Sequence, residues 1–413
     1  MFLTSPAATL PREGHTESSE DALLLRAREL HRQVPLVDGH NDLPWEIRVK
    51  AGGDLVRMDP EGPLPGQHTD IPRLREGGVG GVFWAAYVPP VLAGEPAVRF
   101  AVDQIGLIRG MTDRSQHLEM ARTAGDVERI HRGGRVASLI GVEGGHAIAN
   151  SLDVLRWFHE LGVRYLTLTH ADTIDWADAA TDAPRHGGLT RFGEEVVREM
   201  NRLGMLVDLS HVSPEAMRAA IRVSEAPVVF SHSGVCGVAD HPRNVPDDVL
   251  RSVKRNGGVV MINFYSGFAD PRGAEVMHGM FDVQRCLRDE NPHDPGRAHA
   301  LFEEWRRANP VPRGTVATLA DHVDHAVRVA GIDHVGLGSD FDGVTSVPVG
   351  MEDVSRYPHL TAELLRRGYA EDDVKKVLGG NVLRVMQEAE RTAERLQRER
   401  PPSKATIAEL DRR

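Results

Sequence analysis

Cysteine is scarce: the 413-residue chain holds two, Cys236 and Cys286. Two thiols cannot build a disulfide framework, and they fit a reducing compartment. Lysine is nearly as rare, at Lys50, Lys254, Lys375, Lys376 and Lys404. None of the five ends a strand-like apolar run, so neither a Schiff base nor a carbamylated-lysine metal bridge has a residue to use. An excess of positive charge is missing too, since 49 Lys and Arg face 60 Asp and Glu for a net charge of -11. That balance argues against nucleic acid or an anionic membrane surface as the main partner. No stretch approaches the roughly 18 apolar residues of a membrane span. The N-terminus has neither a charged n-region nor an apolar h-region, and the C-terminus is charged, so we expect no secretory signal, no glycolipid-type anchor and a cytoplasmic protein. A Gly-x-Ser-x-Gly elbow is absent. Gly336-Leu337-Gly338 lacks the third glycine of a dinucleotide fingerprint.

What is present is a repeated unit. Eight short runs rich in Val, Ile and Leu occur at 34–40, 79–88, 135–144, 163–170, 205–211, 226–233, 257–264 and 334–340. Each is brief enough for a strand buried on both faces and is flanked by Gly or Pro. Between them, SLDVLRWFHELG, FGEEVVREMNRLG and SPEAMRAAIRVS carry the 3.6-residue period of helices. Eight strand–helix alternations predict an α/β fold, a (β/α)₈ TIM barrel with insertions at 46–76 and 265–320. We expect one domain over 1–413, with its core at about 30–385 and a solvated, charged helical tail over 386–413.

The strand ends carry the chemistry. They supply His40 and Asp42, Glu143, His170, His211, His232 and Asp340. In a closed parallel barrel all of these open onto one face, where active sites of this fold lie. Imidazole and carboxylate together suit Zn²⁺ and similar ions. His40 and Asp42, two apart on an extended strand, point the same way and can grip one ion. His211 and His232, on adjacent strands, can grip a second, with Glu143 placed to bridge both. Two such ions share a water and generate hydroxide near neutral pH. Arg243, just after the sixth strand, can clamp a carboxylate bidentately, although a surface Arg at a helix start is an equal reading. Asp340 can take the water's proton and give it to a leaving amine, and His170 can stabilise an oxyanion.

Other candidates have plainer explanations. We expect His68, His146, His186, His241, His322, His325 and His334 to be structural or surface residues. Asp208 and Asp342 sit near the motifs, but parity turns them to the opposite face or into a loop. Cys236 has no paired base, so a structural thiol is expected.

The stretches VDGHNDLPW (37–45), GVEGGHAI (141–148), RYLTLTHADTIDWAD (164–178), GLTRFGEEVVREMNRLGMLVDLSHVS (188–213), FSHSGV (230–235), HPRNVPDDVL (241–250), MINFY (261–265) and GLGSDFDG (336–343) resemble the renal (membrane) dipeptidase family, zinc peptidases of the amidohydrolase-like barrel group. The similarity runs from about residue 30 to 385. It implies two zinc ions per chain, His40 and Asp42 on one, His211 and His232 on the other, and a bridge of Glu143 and a hydroxide. It further implies His170 near the tetrahedral intermediate, Arg243 on the substrate's C-terminal carboxylate and Asp340 as acid/base. The activity implied is hydrolysis of dipeptides, including those with a C-terminal D-residue, by a homodimer. Two alternatives stand beside it. One is another metal-dependent amidase, such as an N-acyl-D-amino acid deacylase; the other is a non-catalytic barrel.

Overall fold

In the computed structural model, which describes residues 19–292 and 294–411, every one of the eight apolar runs contains a parallel strand. The N-terminal residues 1–18 lie outside the described residues, and with them most of the segment read for a leader. The strands are β1 (Leu36–Asn41), β2 (Val79–Tyr87), β3 (Leu118–Met120), β4 (Val136–Glu143), β5 (Val163–Thr167), β6 (Leu206–Asp208), β7 (Val229–Phe230), β8 (Val259–Ile262) and β9 (Val335–Leu337). Neighbours pair in the order β2-β1-β9-β8-β7-β6-β5-β4-β3. Pairing of β2 with β4, from Gly81 with Ala137 to Tyr87 with Glu143, closes eight of them into a (β/α)₈ barrel. The ninth, β3, was not legible in the sequence. It is three residues long and pairs only with the start of β4, before β5 joins β4 at Ile140.

The connecting helices form where their caps and apolar faces predict. Thr190 and Ser213 accept hydrogen bonds from the backbone N–H groups of Gly193 and Ala216, starting the helices Arg191–Leu203 and Pro214–Val223. The first buries Val196, Val197 and Met200 and ends at Gly204, whose φ of 76° suits a residue without a Cβ. Inside the barrel, Gly141 makes room for a neighbour: a Cβ there would lie 1.9 Å from the Tyr165 ring. That space lets Tyr165 reach across to His40.

The two insertions are built, not loose. The first contains the helices Leu43–Ala51 and Ile71–Glu76. The second contains the helices Pro271–Glu290 and Pro295–Ala308, which stand over the C-terminal mouth of the barrel.

The charged tail departs from expectation. The helix Asn381–Glu399 is amphipathic, and Val382, Val385, Met386, Ala389, Ala393 and Leu396 are buried. Val382, Met386 and Ala389 pack with Val37, Leu139, Val229 and Val259 at the barrel's N-terminal end. Beyond it, the Ser403 N–H donates to Glu199 at 3.3 Å, and Asp411 accepts from the Arg191 N–H at 3.0 Å. Charge dominates the composition of this segment, but the apolar residues all fall on one face, and that face has a partner.

Candidate metal centre and active site

Six of the expected residues meet at the mouth. His40 Nε2 lies 3.1 Å from Asp42 Oδ2. His211 Nε2 and His232 Nε2 are 3.0 Å apart. Between the pairs stands Glu143: Oε1 is 3.0 Å from His211 Nε2 and 3.4 Å from His232 Nε2, while Oε2 is 3.7 Å from His40 Nε2. Asp340 joins them, since it, His40 and His232 also bring ligand atoms within 4.8 Å of one another.

The backbone that achieves this differs from a simple row of strand ends. β1 stops at Asn41, and Asp42 already begins the next helix with φ −100° and ψ 17°. The convergence of His40 and Asp42 therefore owes nothing to strand parity; the turn makes it. His211 and Asp340 lie three residues past β6 and β9, with φ of 71° and 64°. Left-handed backbone is costly for such residues and is held by its surroundings, which is common at functional sites.

Buried partners set which nitrogen His232 and His40 offer. Ser231 Oγ lies 2.6 Å from Asp208 Oδ2 and 2.7 Å from His232 Nδ1. A carboxylate only accepts, so Ser231 donates to Asp208 and accepts the Nδ1 proton, leaving a lone pair on His232 Nε2. Tyr165 does the same for His40: its hydroxyl donates to the Gly39 carbonyl at 3.3 Å and accepts from Nδ1 at 2.8 Å. The His232 Nε2 lone pair faces Glu143; at His40, against the cost of burial, the Glu143 and Asp42 charges lift the imidazole to about 10, so its Nε2 carries a proton until a cation takes that place. His40 Nε2 is buried and, despite its closeness to Asp42, makes no hydrogen bond. Imidazoles in this tautomer with carboxylates interleaved are a donor set for divalent cations, with the outer hydrogen bonds that metal-binding histidines use.

The electrostatics point the same way. Burial pushes Glu143 up to about 8, with Asp42 and Asp340 repelling it against the pull of His40. Burial also lifts Asp340 to about 6, against the pull of His40. Burial holds His211 and His232 well below the usual histidine range. Crowded carboxylates and neutral imidazoles are an arrangement that bound cations stabilise.

The site opens into a cavity of about 820 Å³. Arg243 lines it and is 2% exposed, so the surface-Arg reading fails. Its Nη2 donates to the His232 carbonyl at 3.3 Å, while Nε and Nη1 have no partner. An ionised group with two unmatched donors in a cavity wall is suited to an anion. His170 also faces the cavity, 4.8 Å from the Tyr87 ring and 4.4 Å from the His211 ring between centroids. Burial and the Arg243 charge hold it down to about 3, so it is neutral. Asp340 Oδ2 accepts from Asn263 Nδ2 at 2.9 Å, which fixes its carboxylate.

Asp342 turns away and accepts from the His68 N–H at 2.7 Å. None of the seven histidines set aside joins a ligand cluster; His322, for instance, is spent on the Ala269 carbonyl and the Val235 N–H. Burial pushes the Cys236 thiol up to about 11, as expected of a structural residue. The sequence reading missed Asp208, Ser231, Tyr165 and Asn263. A signal existed for part of this: Ser210-His211, Ser231-His232 and Ser339-Asp340 each put a serine directly before a site residue.

Residues 24–400 match the family model described as membrane dipeptidase, peptidase family M19. The chain belongs to the membrane dipeptidase family. Membership makes it a dipeptidase of the M19 metallopeptidase family. It is 42% identical over 382 residues to dipeptidase verJ of Clonostachys rogersoniana, covering 90% of this chain and 88% of that one. It is 41% identical to dipeptidase 3 of Mus musculus, covering 91% of this chain and 69% of that one. Among solved structures it resembles the probable dipeptidase PvdM of Pseudomonas aeruginosa, with a TM-score of 0.78 and 26% identity over 90% of this chain and 99% of the other. It also resembles a Rhodobacter sphaeroides metallopeptidase bound to a phosphinate mimic of L-Ala-D-Ala, with a TM-score of 0.70 and 27% identity over 86% of this chain and 99% of the other. Among the described residues no helix is long and apolar enough to cross a membrane.

Proposed function

We propose that this dipeptidase works with two zinc ions and accepts dipeptides whose C-terminal residue is D as well as L. One observation carries the metal count: Glu143 presents one oxygen to His211 and His232 and the other to His40, so a single carboxylate spans two ligand groups. Two ions there would polarise the scissile carbonyl and lower the pKa of a shared water.

The chain's own residues do the rest. Arg243 binds the substrate's C-terminal carboxylate through Nε and Nη1 and so sets how far the scissile carbonyl reaches into the site. Neutral His170 donates a hydrogen bond to the carbonyl oxygen as negative charge develops there. Asp340, steadied by Asn263, takes a proton from the attacking water and delivers it to the departing amine nitrogen. The requirement for a carboxylate one residue beyond the scissile bond favours dipeptides over longer chains. The acceptance of a D-residue draws support from the L-Ala-D-Ala mimic held by the Rhodobacter sphaeroides relative. A homodimer is the assembly that the family implies, and sedimentation velocity checks it.

The test is hydrolysis of L-Ala-D-Ala and L-Ala-L-Ala by zinc-loaded protein, beside N-acetyl-D-Ala. We expect both dipeptides to be cleaved, with about two zinc ions per chain by elemental analysis. Cleavage of the N-acetyl compound alone would move the function to acyl-amino acid hydrolysis. A single tightly bound ion at full activity would refute the binuclear reading.

A further inference from the structure

The walls of the cavity differ in charge. One side, formed by Trp45, Tyr87, Ala171 and Thr181, carries no cation. The other runs outward from Arg243. The Arg243 guanidinium lies 5.2 Å from the Phe268 ring centre, and Phe268 stands edge-on to Tyr265 at 4.8 Å between ring centres. Past this aromatic collar the second insertion places Arg306, Arg307 and Arg313 on the cavity rim, with Glu303 as the one acidic residue among them. A basic rim is notable on a chain of net charge -11. Its internal pairs are weak: Arg306 with Glu303 at 2.8 Å and Arg313 with Glu352 at 3.2 Å are all more than a third exposed. Arg307 has no carboxylate within ion-pair distance among the described residues, its Nε being turned to the Glu303 carbonyl. The volume, about 820 Å³, lies near the top of the range for pockets that enclose drug-sized ligands, more than two small residues fill.

We propose that this rim is a subsite for an acidic side chain on the C-terminal residue of the substrate, with Arg306 and Arg307 receiving its carboxylate. This rests on the dipeptidase reading and on Arg243 as the anchor of the main-chain carboxylate. With that carboxylate on Arg243, the adjacent side chain extends along the Phe268–Tyr265 wall toward the rim. The first residue of the dipeptide faces the wall that carries no cation. The subsite thus separates the two positions of the substrate by charge.

The experiment compares kcat/KM for L-Ala-Glu with the neutral isostere L-Ala-Gln, each with the second residue in L and in D form, and for the reversed pair Glu-Ala and Gln-Ala. We expect about five- to tenfold preference for Glu over Gln at the second position, expressed in KM and shrinking as salt is raised. No preference is expected at the first position. In the double variant R306Q/R307Q the Glu/Gln ratio falls toward one; being a ratio within one preparation, it is insensitive to partial loss of folded protein. A ratio within about twofold in the parent, an unchanged ratio in the double variant, or a preference confined to the first position would each overturn the subsite. Efficient cleavage of the Gln peptides without acidic preference overturns this proposal alone. Failure to cleave any dipeptide overturns the function reading and the subsite with it.

Discussion

The two ends of the barrel follow opposite rules. At the N-terminal end, apolar strand starts meet the buried face of the helix Asn381–Glu399. The nearby buried His31 has both ring nitrogens satisfied, by the Gly77 carbonyl at 2.9 Å and Thr361 Oγ1 at 2.8 Å. At the C-terminal end, carboxylates crowd together, and His40 Nε2, His170 Nδ1, His211 Nδ1 and two Arg243 nitrogens lack partners. All five non-glycine residues with left-handed φ among the described residues, Ala149, Asn150, His211, Asp340 and Asp342, also follow strand C-termini. The base is built for stability and the mouth holds its groups ready for ligands, so the same kind of substitution should act differently at each end.

The sharpest break comes from Glu143. Glu143→Gln should lower kcat/KM by about 10³-fold or more and reduce bound zinc, because no amide can take the bridging role proposed for this carboxylate. The metal-free protein should melt close to the parent, since burial already holds Glu143 largely protonated near neutral pH and the amide keeps its size. Calorimetry of the chelated proteins checks this, and a clear fall in Tm would erase the contrast between the ends.

A change of comparable energy at the base needs only acid. Burial holds the His31 imidazole down to about 4, while in the unfolded chain it takes a proton near 6.5. Between those values the unfolded state binds more protons, so stability falls as pH drops from about 6.5 to about 4 and levels off below. The full window corresponds to about 3 kcal/mol. Denaturant unfolding across this range should show the slope, and His31→Gln should flatten it. An unchanged slope would remove His31 from the account.

The smallest effect sharpens the comparison within the mouth itself. Ser231→Ala removes the acceptor for the His232 Nδ1 proton and leaves Asp208 one donor short. Zinc affinity, read by competition with a chromogenic chelator, should weaken by about 10- to 100-fold with the fold intact by circular dichroism. Equal affinity would mean that Ser231 does not set the His232 tautomer.

The mouth was more legible in the sequence than the base. The site residues follow strand ends as short polar breaks after apolar runs, and a parallel barrel brings all such breaks to one face. His40, Asp42, Glu143, His211, His232 and Asp340 could therefore be grouped without coordinates. The parity argument for His40 and Asp42 was less sound, because β1 ends before Asp42 and the turn governs. The tail was misjudged for a related reason: its charged residues are conspicuous in composition, while its burial depends on a surface formed by β1, β4, β7 and β8, which are far away in the chain.

The sequence by itself determined the eight-strand alternation, the donor types at the mouth and the family, because each is written in local pattern or in long motifs. Tertiary structure alone decided which nitrogen His232 and His40 present, since Asp208, Ser231 and Tyr165 act through contacts across strands. It also decided that Arg243 is buried, that Asn263 steadies Asp340, and that the second insertion brings three arginines to the rim. Periodicity and motif describe what a segment presents; closure of the barrel decides what it meets.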